Sequence, residues 1–169
     1  MKTGGEILIV SLFALLLLGG CGVYSFTGAS IPAEAKTVSV QYFPNTAQLV
    51  NPLLSPMFTE ALRNKMMNQT SLDMVDSNGD LMFEGEIVDY KTTPVAITAT
   101  QTAALNRLTI TVNVRYVNTI DETKNFETRF SRYEDYPSEQ DLNTVQETVA
   151  PTIIDALVED IFNKALVNW

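Results

Sequence analysis

The cysteine content of this sequence limits the chemistry that the protein can perform. The 169-residue chain contains one cysteine, Cys21, and no histidine. A single thiol cannot form an internal disulfide, and a catalytic thiolate normally needs a histidine or another base beside it. The absence of histidine also removes the commonest general base and the usual zinc ligand. We therefore expect no metal and no cofactor, and an enzyme is the least favoured class of function.

Carboxylates in the middle of the chain are the remaining candidates for acid–base chemistry. They form two groups, Asp73 with Asp76 and Asp80, and Glu84 with Glu86. The segment from Asp76 to Asp80 is similar to the start of a calcium loop, but Ile87 stands where that loop needs a bidentate glutamate. Its Asn-Gly dipeptide instead predicts a β-hairpin turn. We interpret the segment as a turn and a carboxylate-based hydrolase as the weakest hypothesis.

The residues before Cys21 resemble a bacterial lipobox with its signal peptide. Ile7 to Leu18 is apolar except for Ser11, and a helix of that length reaches roughly 18 Å, less than a bilayer core of about 30 Å. Leu18-Gly19-Gly20-Cys21 then places small residues at a cleavage site. The resemblance implies a diacylglyceryl group on Cys21, cleavage before it and membrane anchoring by acyl chains. An ordinary secretory signal with an incidental cysteine is the alternative.

The charge and length of the chain suggest one acidic domain, which the lipobox resemblance would place outside the cytoplasm. The formal net charge is −9, and an acidic protein repels nucleic acid at long range, so we expect no nucleic-acid partner. We expect residues 1–20 to be the signal peptide, 21–36 the lipidated cysteine with its tether, and 37–169 a single domain.

Hydrophobic periodicity predicts both strands and helices in that domain. Strands are predicted at 37–42, 70–75, 81–93, 104–117 and 125–133, and helices at 51–68 and 144–169. Pro151 predicts a kink in the last helix or a later start near Thr148. The pattern indicates an α+β two-layer sandwich, with a mostly antiparallel sheet of four to five strands and two helices on one face. In the strand at 104–117, Thr, Asn and Arg alternate with the apolar residues, so the second sheet face should be polar.

Six segments carry a resemblance that extends over nearly the whole mature chain. They are C-G-V-Y-S-F (21–26), V-S-V-Q-Y-F-P-N (38–45), S-P-M-F-T-E-A-L (55–62), F-E-G-E-I-V-D-Y (83–90), N-R-L-T-I-T-V-N-V-R-Y (106–116) and D-I-F-N-K-A-L-V-N-W (160–169). In this order they resemble LptE, the family of lipopolysaccharide-assembly lipoproteins of the Gram-negative outer membrane. Members of that family plug the lumen of the barrel protein LptD and are needed for the barrel to assemble.

The resemblance implies an outer-membrane location, on the periplasmic side and inside a barrel, with LptD and, more weakly, lipopolysaccharide as partners. The candidate lipopolysaccharide contacts are Lys91, Arg107 and Arg115. The candidate barrel-contact loop is uncharged and contains Thr92, Thr93, Thr98, Thr100, Gln101 and Thr102. Alternatively, the three basic residues are surface charges balanced by Glu84, Glu86 and Glu127. A membrane-anchored lipoprotein that holds a lipid or glycolipid between sheet and helices, without a barrel partner, is the alternative function.

Overall fold

The chain folds into one five-stranded sheet with two helices on one of its faces. A computed structural model of the protein describes residues 31–49, 51–95 and 104–167. The elements are β1 Thr37–Val40, α1 Leu54–Gln69, β2 Asp73–Met74, β3 Leu81–Val95, β4 Leu105–Asn118, β5 Phe126–Pro137 and α2 Leu142–Leu166. The sheet order is β2-β1-β3-β4-β5, which confirms the predicted α+β two-layer class.

Strands β3, β4 and β5 form an antiparallel meander, as their alternating sequences predict. The five apolar side chains predicted to share one face of β4 are all buried beneath the helices: Leu108, Ile110, Val112, Val114 and Tyr116. The register of β4 with β5 is continuous from Leu105–Pro137 to Tyr116–Phe126. In β3 a bulge at Ile87/Asp89 shifts the alternation of buried and outward side chains by one residue. As a result Tyr90 is buried opposite Ile110.

The predicted hairpin at Asn78–Gly79 is wrong. Strand β1 lies between β2 and β3 and pairs with both in parallel, so the connection from β2 to β3 crosses over β1. A Cβ atom at Gly79 would lie 2.7 Å from the Ser39 amide nitrogen, which shows how closely this connection passes the β1 backbone. Val38 and Val40 on one face of β1 and Ser39 on the other are all buried, which is the two-sided burial typical of parallel strands.

The chain leaves the sheet soon after β1 and turns its next aromatic residue into the core. Tyr42, predicted as a buried strand residue, is 57% exposed, whereas Phe43 is fully buried. The Phe43 ring packs edge-on against Phe58 of α1 with 5.0 Å between centroids, and its backbone N–H donates to the buried Thr59 hydroxyl at 3.1 Å. This contact fixes α1 against the sheet.

Helix α2 begins two residues earlier than the sequence pattern suggested and ends at Leu166. It begins at Leu142 because the Asp141 side chain accepts a hydrogen bond from the Asn143 N–H, and it continues through Pro151. The later start near Thr148 is therefore wrong. Buried residues on both sides of the proline, Val145 and Ile153 among them, anchor the two halves to the sheet and offset the lost backbone hydrogen bond.

Candidate functional site

The helix-free face of the meander is the candidate functional surface, and we call it the outer face. It comprises Glu84, Glu86, Asp89, Lys91 and Thr93 of β3, Arg107, Thr109, Thr111, Asn113 and Arg115 of β4, and Glu127, Arg129, Ser131, Tyr133 and Asp135 of β5. Alternation places these side chains opposite the buried ones. Tyr133 is the single aromatic residue of the set, so the outer face is polar, as the sequence predicts.

Hydrogen bonds between strands link the polar side chains of the outer face. The hydroxyls of Thr111 and Ser131 lie 2.9 Å apart, and the Asn113 amide donates to the Glu127 carboxylate at 3.1 Å. Thr111 and Ser131 are directly opposite each other, whereas Asn113 reaches Glu127 along the diagonal, and both pairs hold their groups in fixed positions while leaving them in contact with solvent. The outer face can therefore offer an ordered array of donors and acceptors to a hydrated partner surface.

Arg107 is the most ordered basic residue of the three lipopolysaccharide candidates. Its guanidinium donates two hydrogen bonds to Asp135, at 2.7 and 2.9 Å, and its central carbon lies 3.6 Å from the centroid of the Tyr133 ring. These hydrogen bonds lower the pKa of Asp135 and raise the pKa of Arg107, so both groups are charged at neutral pH. A planar cation held on an aromatic ring is a rigid platform rather than a flexible surface charge.

The three basic candidates do not form one cluster. Lys91 and Arg107 lie in neighbouring rows near the tip of the β3–β4 hairpin, since Lys91 faces Thr109 and Thr93 faces Arg107. Arg115 lies eight residues further along β4, or about 27 Å away. One phosphate group could therefore meet the first two, but not all three.

Each candidate already has an acidic partner, although the predicted partners are only partly correct. Arg115 lies 3.6 Å from Glu84, as the alternative interpretation expected. Lys91 pairs with Asp89 and Arg107 with Asp135. The two other expected acids are bound elsewhere, Glu86 by the Thr46 hydroxyl and Glu127 by Asn113.

The barrel-contact loop lies at the tip of the β3–β4 hairpin, and only its start falls within the described residues. Thr92 is on the helix side, where its hydroxyl accepts from Tyr136 at 3.2 Å, whereas Thr93 lies on the outer face opposite Arg107. The other candidates lie outside the described residues: Thr98, Thr100, Gln101 and Thr102, and also the lipidation candidate Cys21.

The side chain of Asp80 stabilises the fold through hydrogen bonds. Its carboxylate accepts hydrogen bonds from the backbone N–H groups of Lys36 and Thr37, at 2.8 and 2.9 Å, and from the Thr37 hydroxyl at 2.9 Å. Asp73 and Asp76 are exposed. Across 31–49, 51–95 and 104–167, no three His, Cys, Asp or Glu side chains converge on a possible metal position. Asp80 thus ties the entry of β1 to the start of β3.

Replacing Asp80 with asparagine should lower the melting temperature at neutral pH. The pKa of Asp80 is below its ordinary value of 3.8, first because of the Lys36 N–H and then because of the Thr37 hydroxyl. A lowered pKa in the folded state means that the charge stabilises the fold above the ordinary pKa, and this contribution disappears as the pH falls through the folded-state value. Thermal unfolding of both proteins should therefore differ at pH 7, and the difference should shrink below about pH 4 and vanish once the pH is under the folded-state pKa of Asp80.

Asp76→Asn is the matched control, because the exposed Asp76 side chain lies in the same connection but outside the network around Thr37. Its melting temperature should follow that of the natural protein at every pH. A difference between Asp80→Asn and the natural chain that stayed constant down to pH 2 would contradict the charge-based explanation.

The sequence reasoning missed Tyr133 and Asp135, which complete the Arg107 platform. The signal was the register of the β4–β5 hairpin, which places Arg107 opposite Asp135 and Thr109 opposite Tyr133. That register depends on the turn, where a 3-10 helix at Glu122–Lys124 is capped by the Asp121 carboxylate. A shift of one residue in the turn would have placed Asp135 on the helix side.

The fold and the outer face define a class of small α+β proteins that includes bacterial lipoproteins. A minor lipoprotein from Acinetobacter baumannii superposes with a TM-score of 0.51 at 12% identity, covering 79% of this chain and 97% of that chain. A putative neuraminyllactose-binding hemagglutinin homolog from Helicobacter pylori gives 0.51 at 8% identity, with coverages of 80% and 86%. A hypothetical protein from Chlamydia trachomatis gives 0.50 at 11%, with coverages of 78% and 98%. At these identities the likeness concerns the fold alone.

The sequence identifies the family within that class. The profile of the LptE lipopolysaccharide-assembly family matches residues 35–165, which is most of the chain. The protein therefore belongs to the LptE family, as its sequence segments indicated. No curated protein matches the chain in sequence. In the part of the chain that the structure describes, neither helix has the length and apolar character needed to cross a bilayer.

Proposed function

We propose that this protein is a non-enzymatic outer-membrane lipoprotein that plugs an LptD-type β-barrel and assists its assembly for lipopolysaccharide transport. The acylated Cys21 anchors it in the membrane, residues 21–36 form its tether, and the domain at 37–169 enters the barrel lumen from the periplasmic side. Membership of the lipopolysaccharide-assembly family supports the process. The barrel partner follows from what members of this family do.

The polarity of the outer face is the main structural support for the proposed plug function. The lumen of a transmembrane barrel is polar, so a protein that occupies it needs a hydrated surface with hydrogen-bonding groups in fixed positions. The linked Thr111–Ser131 and Asn113–Glu127 pairs supply such groups at the centre of the meander. Thr93, next to Arg107 on the outer face, continues this surface toward the uncharged connection between β3 and β4.

Lipopolysaccharide is the second ligand in the proposal, and Arg107 with Lys91 is its candidate contact. Both side chains carry a positive charge close to the hairpin tip, and the central carbon of the Arg107 guanidinium lies 3.6 Å from the centroid of the Tyr133 ring. A phosphate would have to compete with Asp135 and Asp89 for these cations. The contact therefore requires exchange of an ion pair, and the bidentate, half-buried Arg107–Asp135 pair is the more costly of the two to break. Arg115 belongs to a separate position on the outer face.

The alternative function, a lipid carrier with a pocket between sheet and helices, fits the packing less well. Bulky side chains fill that layer, and Phe58, Leu62, Ile110, Leu157 and Ile161 are all fully buried. A carrier of acyl chains needs a hollow of several hundred Å³ lined by apolar groups. The filled core supports a protein that acts by its surface.

The proposed function is tested by purifying a carboxy-terminally tagged protein from mildly solubilised membranes and identifying what accompanies it. We expect a large β-barrel protein, and we expect barrel maturation to fail when the chain is depleted. Thr111→Trp, at the centre of the outer face, should reduce the recovered barrel about tenfold or more, which corresponds to about 1.4 kcal/mol of binding free energy. Tryptophan is tolerated in strands, so the fold should persist.

Asp155→Trp on the exposed surface of α2 is the matched control and should retain the barrel. Circular dichroism of both variants separates a binding defect from unfolding. Recovery of the protein alone at every detergent strength would defeat the barrel proposal. A co-purifying lipid in that experiment would support the carrier instead.

A further inference from the structure

Strand β5 forms a long unpaired edge of the sheet. It runs for 12 residues, pairs with β4 along one side, and has no strand on its other side among the described residues. Natural edge strands are usually shortened, bulged, interrupted by proline or protected by charged side chains. The β5 register contains no bulge, and its proline, Pro137, is the last residue. The backbone edge is therefore open, and the charged side chains of β5 determine which strand can pair with it.

The order of charges along β5 is complementary to itself. In an antiparallel pair of two β5 strands centred on Tyr133, Arg132 faces Glu134 of the second copy, and Glu134 faces the second Arg132. Directly opposite charges of unlike sign stabilise a strand pair. Ser131 then faces Asp135, and Arg129 reaches Asp135 of the second copy along the diagonal.

Other symmetric registers also pair most of the strand, but the residues that face each other in them are less favourable pairs. Centring on Ser131 places Glu127 opposite Asp135, and centring on Arg132 places that arginine opposite itself. Like charges directly opposite each other destabilise a strand pair. Centring on Phe130 brings no like charges together, but it forms no ion pair either.

The side chains that the Tyr133 register would bring together are accessible to a second copy of the chain. Glu134 is exposed and has no hydrogen-bond or ion-pair partner among the described residues. Arg132 binds Asp160 of α2 through two hydrogen bonds but keeps 52% of its side chain exposed, so a second carboxylate can join it. Tyr133 is 54% exposed, although Arg107 supports its ring from one side. A second tyrosine could cover the rest.

We propose that two copies of this chain, outside any other complex, associate through antiparallel pairing of their β5 strands about a twofold axis at Tyr133. The two five-stranded sheets then become one continuous sheet, with all four helices on the same side. The pairing buries the two Tyr133 rings and forms two Arg132–Glu134 ion pairs across the axis. It is independent of the proposed plug function, because it concerns the free protein.

Disulfide trapping tests both the dimer and its register. In the full-length chain carrying Cys21→Ala and kept in mild detergent, Tyr133→Cys should form a disulfide-linked dimer under mild oxidation. Directly opposite residues of antiparallel strands have Cα atoms about 4.5–5.5 Å apart, which a disulfide can span. The matched control is Ser131→Cys, whose two copies would lie about 13 Å apart and should stay monomeric.

A charge reversal tests the dimer without a crosslink. Glu134→Arg should weaken self-association at least tenfold, measured by light scattering or sedimentation over a range of concentrations. Glu147→Arg makes the same change of charge on the exposed surface of α2 and should leave the dimer intact. A natural chain that is monomeric at every concentration, or equal crosslinking of the cysteines at 131 and 133, would overturn the proposal.

Discussion

Replacing Gly85 with valine should lower the free energy of unfolding by at least about 3 kcal/mol. Gly85 has a φ of +156° in the middle of β3, a conformation that side chains with a Cβ rarely adopt. A Cβ atom there would lie 2.0 Å from the Asn113 carbonyl oxygen and 2.7 Å from Cε1 of Phe43. Chemical denaturation followed by circular dichroism measures the loss, which is a large part of the 5–15 kcal/mol typical of a domain.

Glu84→Val is the control, since it introduces the same residue one position away on the outer face and removes only an exposed ion pair at 3.6 Å. Its effect should stay below about 1 kcal/mol. A second variant separates the two clashes. Phe43→Leu should not rescue Gly85→Ala, because the Asn113 carbonyl belongs to the backbone of the neighbouring strand and cannot move away. Rescue would show that the Phe43 ring alone excludes a side chain at this position.

Replacing Cys21 with alanine should remove the protein from the membrane fraction or leave it unprocessed. The reason is that the thiol is the acceptor of the diacylglyceryl group in the lipobox that Leu18 to Cys21 resembles. Each buried methylene of an acyl chain contributes about 0.8 kcal/mol to membrane binding, so several chains hold the protein almost permanently. Mass spectrometry of the mature amino terminus and fractionation of membranes measure both effects.

Ser25→Ala, four residues beyond the cysteine, is the matched control and should be processed and anchored normally. Normal processing and membrane fractionation of Cys21→Ala would contradict the lipobox. An unmodified Cys21 on a protein that diffuses freely would do the same. The barrel proposal would then lose its anchor but keep the polar outer face, so the two ideas fail separately.

The meander was predictable because its information is local. Successive residues of β4 point to opposite faces of the sheet, and the five buried positions follow from the sequence alone. The place of β1 was not predictable in this way, because it pairs with Leu81–Phe83 and with the two-residue strand β2 across distant parts of the chain. Two residues carry no periodic signal, and the Asn-Gly pair suggested a hairpin where the chain crosses over β1.

In the candidate site, too, the features that depend on local sequence were predictable and those that depend on strand register were not. The polar character of the outer face follows from alternation, and the Glu84–Arg115 pair was expected from it. The Arg107–Asp135 pair joins residues 28 positions apart, and it exists only in the register set by the capped turn at Asp121. A sequence pattern indicates which face a side chain occupies, but an ion pair between strands also requires the number of residues in the turn.

The length of the β3–β4 hairpin also determines how far this protein reaches from the point where its chain enters the sheet. The chain enters the sheet at Thr37, level with the start of β3, and β3 then runs 15 residues away from that end. At about 3.3 Å per residue, Val95 stands about 45 Å above the entry point, roughly the full thickness of a bilayer with its headgroups. If the proposed anchor holds the amino terminus at the inner leaflet, the far end of β3 at Val95 reaches the height of the opposite membrane surface.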